Sequence, residues 1–258
     1  MKFSKLLSVL FFLLIAIHGI SQCFFNNTAF KNGEKIEYDV KYSWGIIWFD
    51  AGFVSFETDS TSLNGKPAYK FISKGGSYDK YDWIYKVRES YVSYAEYAPL
   101  KPISYSRNSV EGSYFSIEQY KFDYTQKKLF TMVQNSKKPL TLDTILLPDC
   151  TYDLLTAIYA FRNLDFENIK PNQRIPLKVV IDNVCESLYI RMIGKEDFIS
   201  NKRKIPCYHL KAAMLEGTIF HAGEQTDIWV TQTLNHIPIY IEAKILVGTV
   251  KVYLKNYK

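Results

Sequence analysis

Little in this chain points to chemistry. Its four cysteines form no C-x-x-C pair, which argues against a zinc site or a thioredoxin-like redox motif. Beyond the N-terminal stretch only His209, His221 and His236 remain. Neither a Gly-x-Ser-x-Gly elbow nor a His-Glu-x-x-His run accompanies them, so the usual settings for nucleophilic or zinc hydrolysis are missing. There is no glycine-rich phosphate loop. Lys and Arg are dispersed among acids rather than gathered in a stripe, which excludes nucleic acid as the expected partner. No catalytic residue, no cofactor site and no metal ligand is therefore assigned.

Helical periodicity is scarce too. Leu154, Leu155, Ile158 and Phe161 recur at helical spacing and predict one central helix over about 150–164. Pro148 closes the strand before it, Asp149 or Thr151 is placed to cap it, and Asp153 falls in its first turn.

What is present is apolar and aromatic. The chain has 258 residues, 47% of them hydrophobic, with 20 Tyr and 17 Phe, enough for a sizeable core built on pleated strands. Residues 1–21 read as a secretory signal: Lys2 and Lys5, an apolar run from Leu6 to Ile17, then Gly19-Ile20-Ser21 as a small-x-small cleavage site. That apolar run is too short to span a bilayer. Its removal takes two lysines from a net charge of +6, which weakens any argument from basicity. Ile20-Ser21-Gln22-Cys23 resembles a lipobox, but Gln22 stands where a small residue belongs, so plain export to the periplasm or outer envelope outranks lipidation at Cys23. Four cysteines in an oxidising compartment permit disulfides. Cys23 and Cys150 both sit in loop-like contexts and are the favoured pair, with four unpaired thiols as the alternative.

Two-fold alternation begins after Gly33, with Ile36, Tyr38, Val40 and Tyr42 facing one way. A strand over about 46–58 follows, in which Gly52 marks a bulge or close backbone approach. Asn64-Gly65 signals a hairpin, Gly75-Gly76-Ser77 reads as a break, and a strand is expected from Ile84 to Tyr94. Strands continue up to the helix and resume after it. Ile36, Pro67 and Tyr69 match Ile175, Pro206 and Tyr208 at an offset of 139, and Pro102, Ile103 and Gly112 match Pro238, Ile239 and Gly248 at 136. These offsets suggest a duplicated unit, with pseudo-repeats at about 33–134 and 172–258 joined by the helix. The fold expected for residues 22–258 is a single, mainly β domain: one long curved antiparallel sheet or open half-barrel with the helix packed on it.

Phe30-Lys31-Asn32-Gly33-Glu34-Lys35-Ile36-Glu37-Tyr38 resembles the opening of an exported family, domain of unknown function 3108. So do Tyr85-Lys86-Val87-Arg88-Glu89-Ser90, the run from Asp149 to Tyr159, and Ile228-Trp229-Val230-Thr231 followed by Asn235-His236-Ile237-Pro238. In style, including Cys23 just after the signal, the chain is similar to members from the Bacteroidetes. The resemblance spans the mature chain and implies export and a β-rich fold, without known chemistry. A more distant similarity is to the envelope lipoprotein carriers, a curved sheet around helical cover; fold alone does not establish function.

The expected ligand surface is a concave, aromatic-lined sheet taking a lipid or other apolar ligand, with Trp48, Trp83, Tyr85, Tyr91, Leu154, Ile158 and Phe161 as candidates. Trp44 is placed with Trp48 and Trp83 at its rim. The alternative is an envelope assembly factor acting through protein contacts at a sheet edge. An outer-membrane barrel fits less well, because the helix would have to fill the lumen. Among polar groups, Cys207 with His209 and His221 with Glu224 read as structural or solvated pairs rather than metal sites. Glu89, on an aromatic strand face, is expected to pair across the sheet with Arg107 and Glu111.

Overall fold

The computed structural model describes residues 23–200, 202–214, 223–245 and 248–258. The signal segment, Gln22 and His221 lie outside them. Alternating apolar and polar residues give a meander of eight strands, β1 (Lys35–Trp44), β2 (Ile47–Leu63), β3 (Lys66–Ser77), β4 (Val87–Glu96), β5 (Pro102–Glu111), β6 (Tyr114–Asp123), β7 (Lys128–Asn135) and β8 (Lys138–Leu146). A short helix, α1 (Asp82–Tyr85), interrupts it. After β8 come β9 (Thr151–Asp153) and the helix α2 (Leu154–Phe161). A second meander completes the chain: β10 (Arg174–Ile181), β11 (Val184–Ser200), β12 (Arg203–Met214), β13 (Gly223–Thr231), β14 (Pro238–Lys244) and β15 (Thr249–Tyr257).

All fifteen strands form one open sheet, ordered β8-β7-β6-β5-β4-β3-β2-β1-β15-β14-β13-β12-β11-β10-β9. The two meanders meet where β1 pairs antiparallel with β15. The single parallel pairing among these strands joins β9 to β10. No helix among the described residues is long and apolar enough to cross a membrane.

The sheet rolls upon itself without closing its ladder. Val180 of β10 packs against Tyr105, Tyr120, Phe122 and Leu129 on the concave face of β5–β7. Its neighbour Val179 points the other way, towards Ala157 and Ala160 of α2. The β9–β10 end is therefore tucked inside the first meander, and α2 lies within the roll. Leu155 and Tyr159 bury against Phe71, Tyr69 and Ala95, with Phe30 of the N-terminal segment wedged edge-on among their rings. Each such fully buried side chain contributes about 1.5–3 kcal/mol relative to exposure. This core fixes the helix against the first meander.

Several local expectations need revision. The predicted helix over 150–164 shrinks to Leu154–Phe161, because Thr151–Asp153 pair with Lys178–Val180 as a strand. Its cap is Asp153, not Asp149 or Thr151: Asp153 Oδ1 accepts from the Thr156 amide at 2.8 Å. The helix is buried on most sides rather than amphipathic, since the roll surrounds it. Asp82–Tyr85 are helical, and strand β4 starts only at Val87. Gly75-Gly76-Ser77 continue β3 instead of breaking it. A Cβ on Gly52 would collide with the Gly76 carbonyl, so these glycines allow close backbone approach at the bulge opposite Val40 and Lys41. Asn64-Gly65, both at positive φ, form the tight β2–β3 hairpin.

Candidate functional site

Helix α2 is pinned at both ends by buried polar groups. At its start Ser93 Oγ donates to Asp153 Oδ1 at 2.6 Å, and Thr156 Oγ donates to Oδ2 at 2.7 Å. Burial pushes the Asp153 carboxyl above the usual carboxylate range, with the Ser93 and Thr156 hydrogen bonds pulling the other way. At its end Arg162 and Glu34, both almost fully buried, form a two-pronged ion pair with Nη2 to Oε2 at 2.9 Å. Arg162 also donates to the carbonyls of Asn235 at 2.9 Å and Ala29 at 3.2 Å. The His236 ring hydrogen-bonds the Arg162 carbonyl at 2.7 Å. A guanidinium here also suits the negative end of the helix dipole.

Between these anchors the helix packs on β10, where Val179 meets Ala157 and Ala160, but leaves a cavity of about 280 Å³ towards β11 and β13–β15. The helix supplies Leu154, Ile158 and Phe161 to its wall. Ile158 is 37% exposed although it lies mid-helix within the roll, because it faces this space. Opposite stand Leu188, Ile190, Ile228, Ile241 and Val252 from β11, β13, β14 and β15. Val54, Phe56, Ile36 and Tyr38 close the side formed by β1 and β2. The wall is apolar throughout, with the Arg162 end as its polar floor.

Of the seven candidate ligand-surface residues, only Leu154, Ile158 and Phe161 come together. Tyr91 is on the concave face but packs between two core clusters, with the Arg107 guanidinium 5.8 Å from its ring centroid. Trp48 is 45% exposed, with Lys251 over its ring at 4.4 Å, on the convex side. Trp83, 82% exposed, and Tyr85 stand on α1, outside the cavity. The reason is local: Arg88 binds Asp82 and Asp79, which holds 82–85 as a helical turn and turns these rings outward. The cavity wall is thus aliphatic on the second meander, with Tyr38, Phe56, Tyr159 and Phe161 on its other sides. The aliphatic residues of β11 and β13–β15 were missed as a wall, although their alternation on successive strands was a signal for one.

Cys23 and Cys150 are joined by a disulfide, Cα to Cα 4.7 Å, which holds the N-terminal segment beside the start of β9. Tyr152 Oη donates to the Cys23 carbonyl at 3.0 Å and strengthens that contact. Cys207 is buried and Cys185 half-buried, both unpaired. His209 lies on the convex face, stacked on Trp229 at 4.3 Å and bonded to Asp227 at 2.7 Å. Lys211 reaches the same Asp227 at 2.9 Å, so this carboxylate is committed to holding its neighbours. Among the described residues no group of three His, Cys, Asp or Glu is arranged to hold a metal ion.

No curated protein matches the chain. The fold is similar to that of the beta-barrel-like protein of domain of unknown function DUF1849 from Brucella abortus, with a TM-score of 0.55 and 8% identity over 88% of this chain and 97% of that one. A candidate lipoprotein from Parabacteroides distasonis ATCC 8503 aligns over 91% of this chain and 98% of its own at 12% identity, but its TM-score of 0.32 is too low to bear on the fold. Residues 37–255 match the model of a protein family of unknown function, DUF3108, and the chain belongs to that family.

Proposed function

We propose that this is an exported, non-enzymatic protein of the periplasm or outer envelope that holds the apolar chain of an amphipathic ligand between α2 and the second meander. The observation that carries the reading is the cavity of about 280 Å³ with its aliphatic wall and half-exposed Ile158. Its volume is near the lower end of small-ligand sites, about 300–1,000 Å³, and suits one chain rather than a whole multi-chain lipid. Shape and wall provide no directed hydrogen bonds along the chain, so recognition there rests on apolar burial, about 0.8 kcal/mol per methylene. The Cys23–Cys150 disulfide supports an oxidising compartment.

The test is displacement of a fluorescent apolar dye by dodecanol from the mature protein and from an Ile228→Trp variant. Saturable binding that the variant loses by at least about tenfold is expected, since an indole would occupy the space. Equal binding by both proteins, or none by either, would reject the cavity as the site.

A second reading has its own observation. Strand β8 ends the sheet with an edge unpaired among the described residues, along which Leu140, Leu142 and Leu146 are exposed, Leu142 at 77%. Edges of this kind recruit a further strand, which fits an envelope assembly factor acting through protein contacts. Crosslinking from a residue placed at Leu142 in whole envelopes distinguishes the two: a discrete protein adduct favours assembly, its absence the ligand reading.

A further inference from the structure

The concave face of the first meander carries a second, different feature beside the cavity. Arg107 is ringed by carboxylates: Glu89 at 3.3 Å, Glu111 at 3.2 Å and Glu118 at 3.3 Å, with Asp182 of the β10–β11 turn at 3.7 Å. Glu118 is fully engaged, accepting also from Tyr120 Oη at 2.5 Å and Ser116 Oγ at 3.3 Å. Glu89 and Glu111 instead share one nitrogen of the guanidinium, Nη2, at 3.5 and 3.2 Å. One positive charge therefore faces four negative ones, two of them side by side. Burial and the neighbouring Glu89 hold the Glu111 carboxyl above its ordinary range despite Arg107.

A carboxylate cluster alone is not a site. Here a second observation bears on it. Ser109 lies at its centre, with Glu89 and Ser116 as cross-strand partners and Arg107 and Glu111 next along the same face of β5. Its side chain is wholly buried, and its hydroxyl has no hydrogen-bond partner among the described residues. The Asn183 Oδ1 atom, buried in the turn that covers Arg107 and Tyr120, is also unpartnered. Surplus acceptors and surplus negative charge call for a group that brings donors and a positive charge and no acceptors. An ammonium is that group.

The cluster is also within reach of the cavity. Val54 in the cavity wall pairs with Gly75, and Gly75 pairs with Glu89, so two strand spacings, about 10 Å, separate them. Gly75 bears no side chain, which leaves bare backbone between wall and cluster. Glu89 and Glu111 keep 15% and 28% of their side-chain surface accessible.

We propose that Glu89 and Glu111 seat the ammonium head of an amphiphile whose chain occupies the cavity. This rests on the apolar-chain reading above and names its ligand class as a long-chain amine or amine-headed lipid. The ammonium sits between the two carboxylates, Ser109 Oγ accepts a hydrogen bond from one of its N–H groups, and Arg107 stays paired with Glu118.

The experiment compares dodecylammonium, dodecanol and dodecanoate at neutral pH and below micelle-forming concentrations, with spermidine as a soluble amine lacking a chain. Binding is read by calorimetry on the mature protein and on Glu89→Gln/Glu111→Gln. Dodecylammonium is expected to bind at least about tenfold tighter than dodecanol and tighter still than dodecanoate. The double variant should lose that preference while binding dodecanol within about twofold of the parent. Equal binding of the three C12 compounds would overturn the ammonium seat and leave the apolar-chain reading standing. Binding of spermidine alone, abolished in the variant, would overturn the apolar chain and keep the seat for a soluble amine. Absence of all binding would remove both. Should the double variant fail to fold by circular dichroism, Glu111→Gln alone, which leaves Arg107 paired with Glu89 and Glu118, takes its place with the same expected loss of preference.

Discussion

The two meanders are built alike and used differently. Strands β2 and β11 both have 17 residues, and β3 and β12 both have 12. In the first meander the aromatic rings point inward. Tyr69, Phe71, Tyr105, Tyr120 and Phe122 line its concave face and fill it against α2 and Val180. In the second meander most rings point outward: Trp229, Tyr240 and Tyr253 form a contiguous aromatic band on the convex face, joined by Phe198 and His209, while Tyr208 is buried on the inner face against Phe166. Beside the cavity the inner face of β11 and β13–β15 is aliphatic, with Leu188, Ile190, Ile228, Ile241 and Val252. Large planar side chains fill the gap to α2 on one side, and shorter branched ones leave space on the other. The cavity is the result.

Breaking the anchor that both meanders share should cost most. Glu34→Ala leaves the Arg162 charge buried without a partner, and a loss of about 3–5 kcal/mol is expected in urea unfolding. Next come two changes confined to the filled side. Leu155→Ala, within the Phe71 and Tyr159 cluster, should cost about 2–5 kcal/mol. Replacing both Cys23 and Cys150 by Ser, which opens a link across 127 residues, should cost about 2–5 kcal/mol. The counterpart on the open side is Ile158→Ala, three residues on from Leu155 along the same helix, where the side chain faces the cavity. It should cost only about 1 kcal/mol, and a loss equal to that of Leu155→Ala would erase the distinction between the two sides.

The smallest expected effect is electrostatic. Glu111 titrates above its unfolded value, so the folded state holds its proton more tightly than the unfolded one. Its ionisation therefore opposes folding at neutral pH, and that opposition fades as pH falls through the folded pKa towards the ordinary value. Glu111→Gln should be slightly more stable than the parent at pH 7, with the gap narrowing on acidification in paired thermal melts. A variant that loses stability at pH 7 would show that the carboxylate is held favourably there.

Much of this architecture could be read from the chain. Alternation at Ile36, Tyr38 and Val40, the Asn64-Gly65 hairpin and the apolar run after Asp153 locate strands, a turn and the helix from local patterns. What escaped is what depends on contacts far along the chain. The start of α2 moved because Thr151–Asp153 pair with β10, and nothing nearby in sequence announces that pairing. Glu34 and Arg162 are 128 residues apart, and a lone Arg after an apolar helix does not name its partner. Pleating shows that Trp229 and Ile228 face opposite ways, but which of them faces inward depends on how the sheet curls. For the same reason Trp48 falls on the convex side and Ile228, Ile241 and Val252 form the wall, whereas Trp83 and Tyr85 face outward because Arg88 holds 82–85 as a helical turn.

The central claim is that the open side of the helix holds an apolar chain. Native mass spectrometry of the protein, purified from its host without detergent, tests it most directly. A single adduct of one-chain amphiphile mass, displaced by dodecylammonium and missing from Ile228→Trp, is the predicted result. A bare protein mass, with a parent protein that takes up no dodecyl compound, would contradict it.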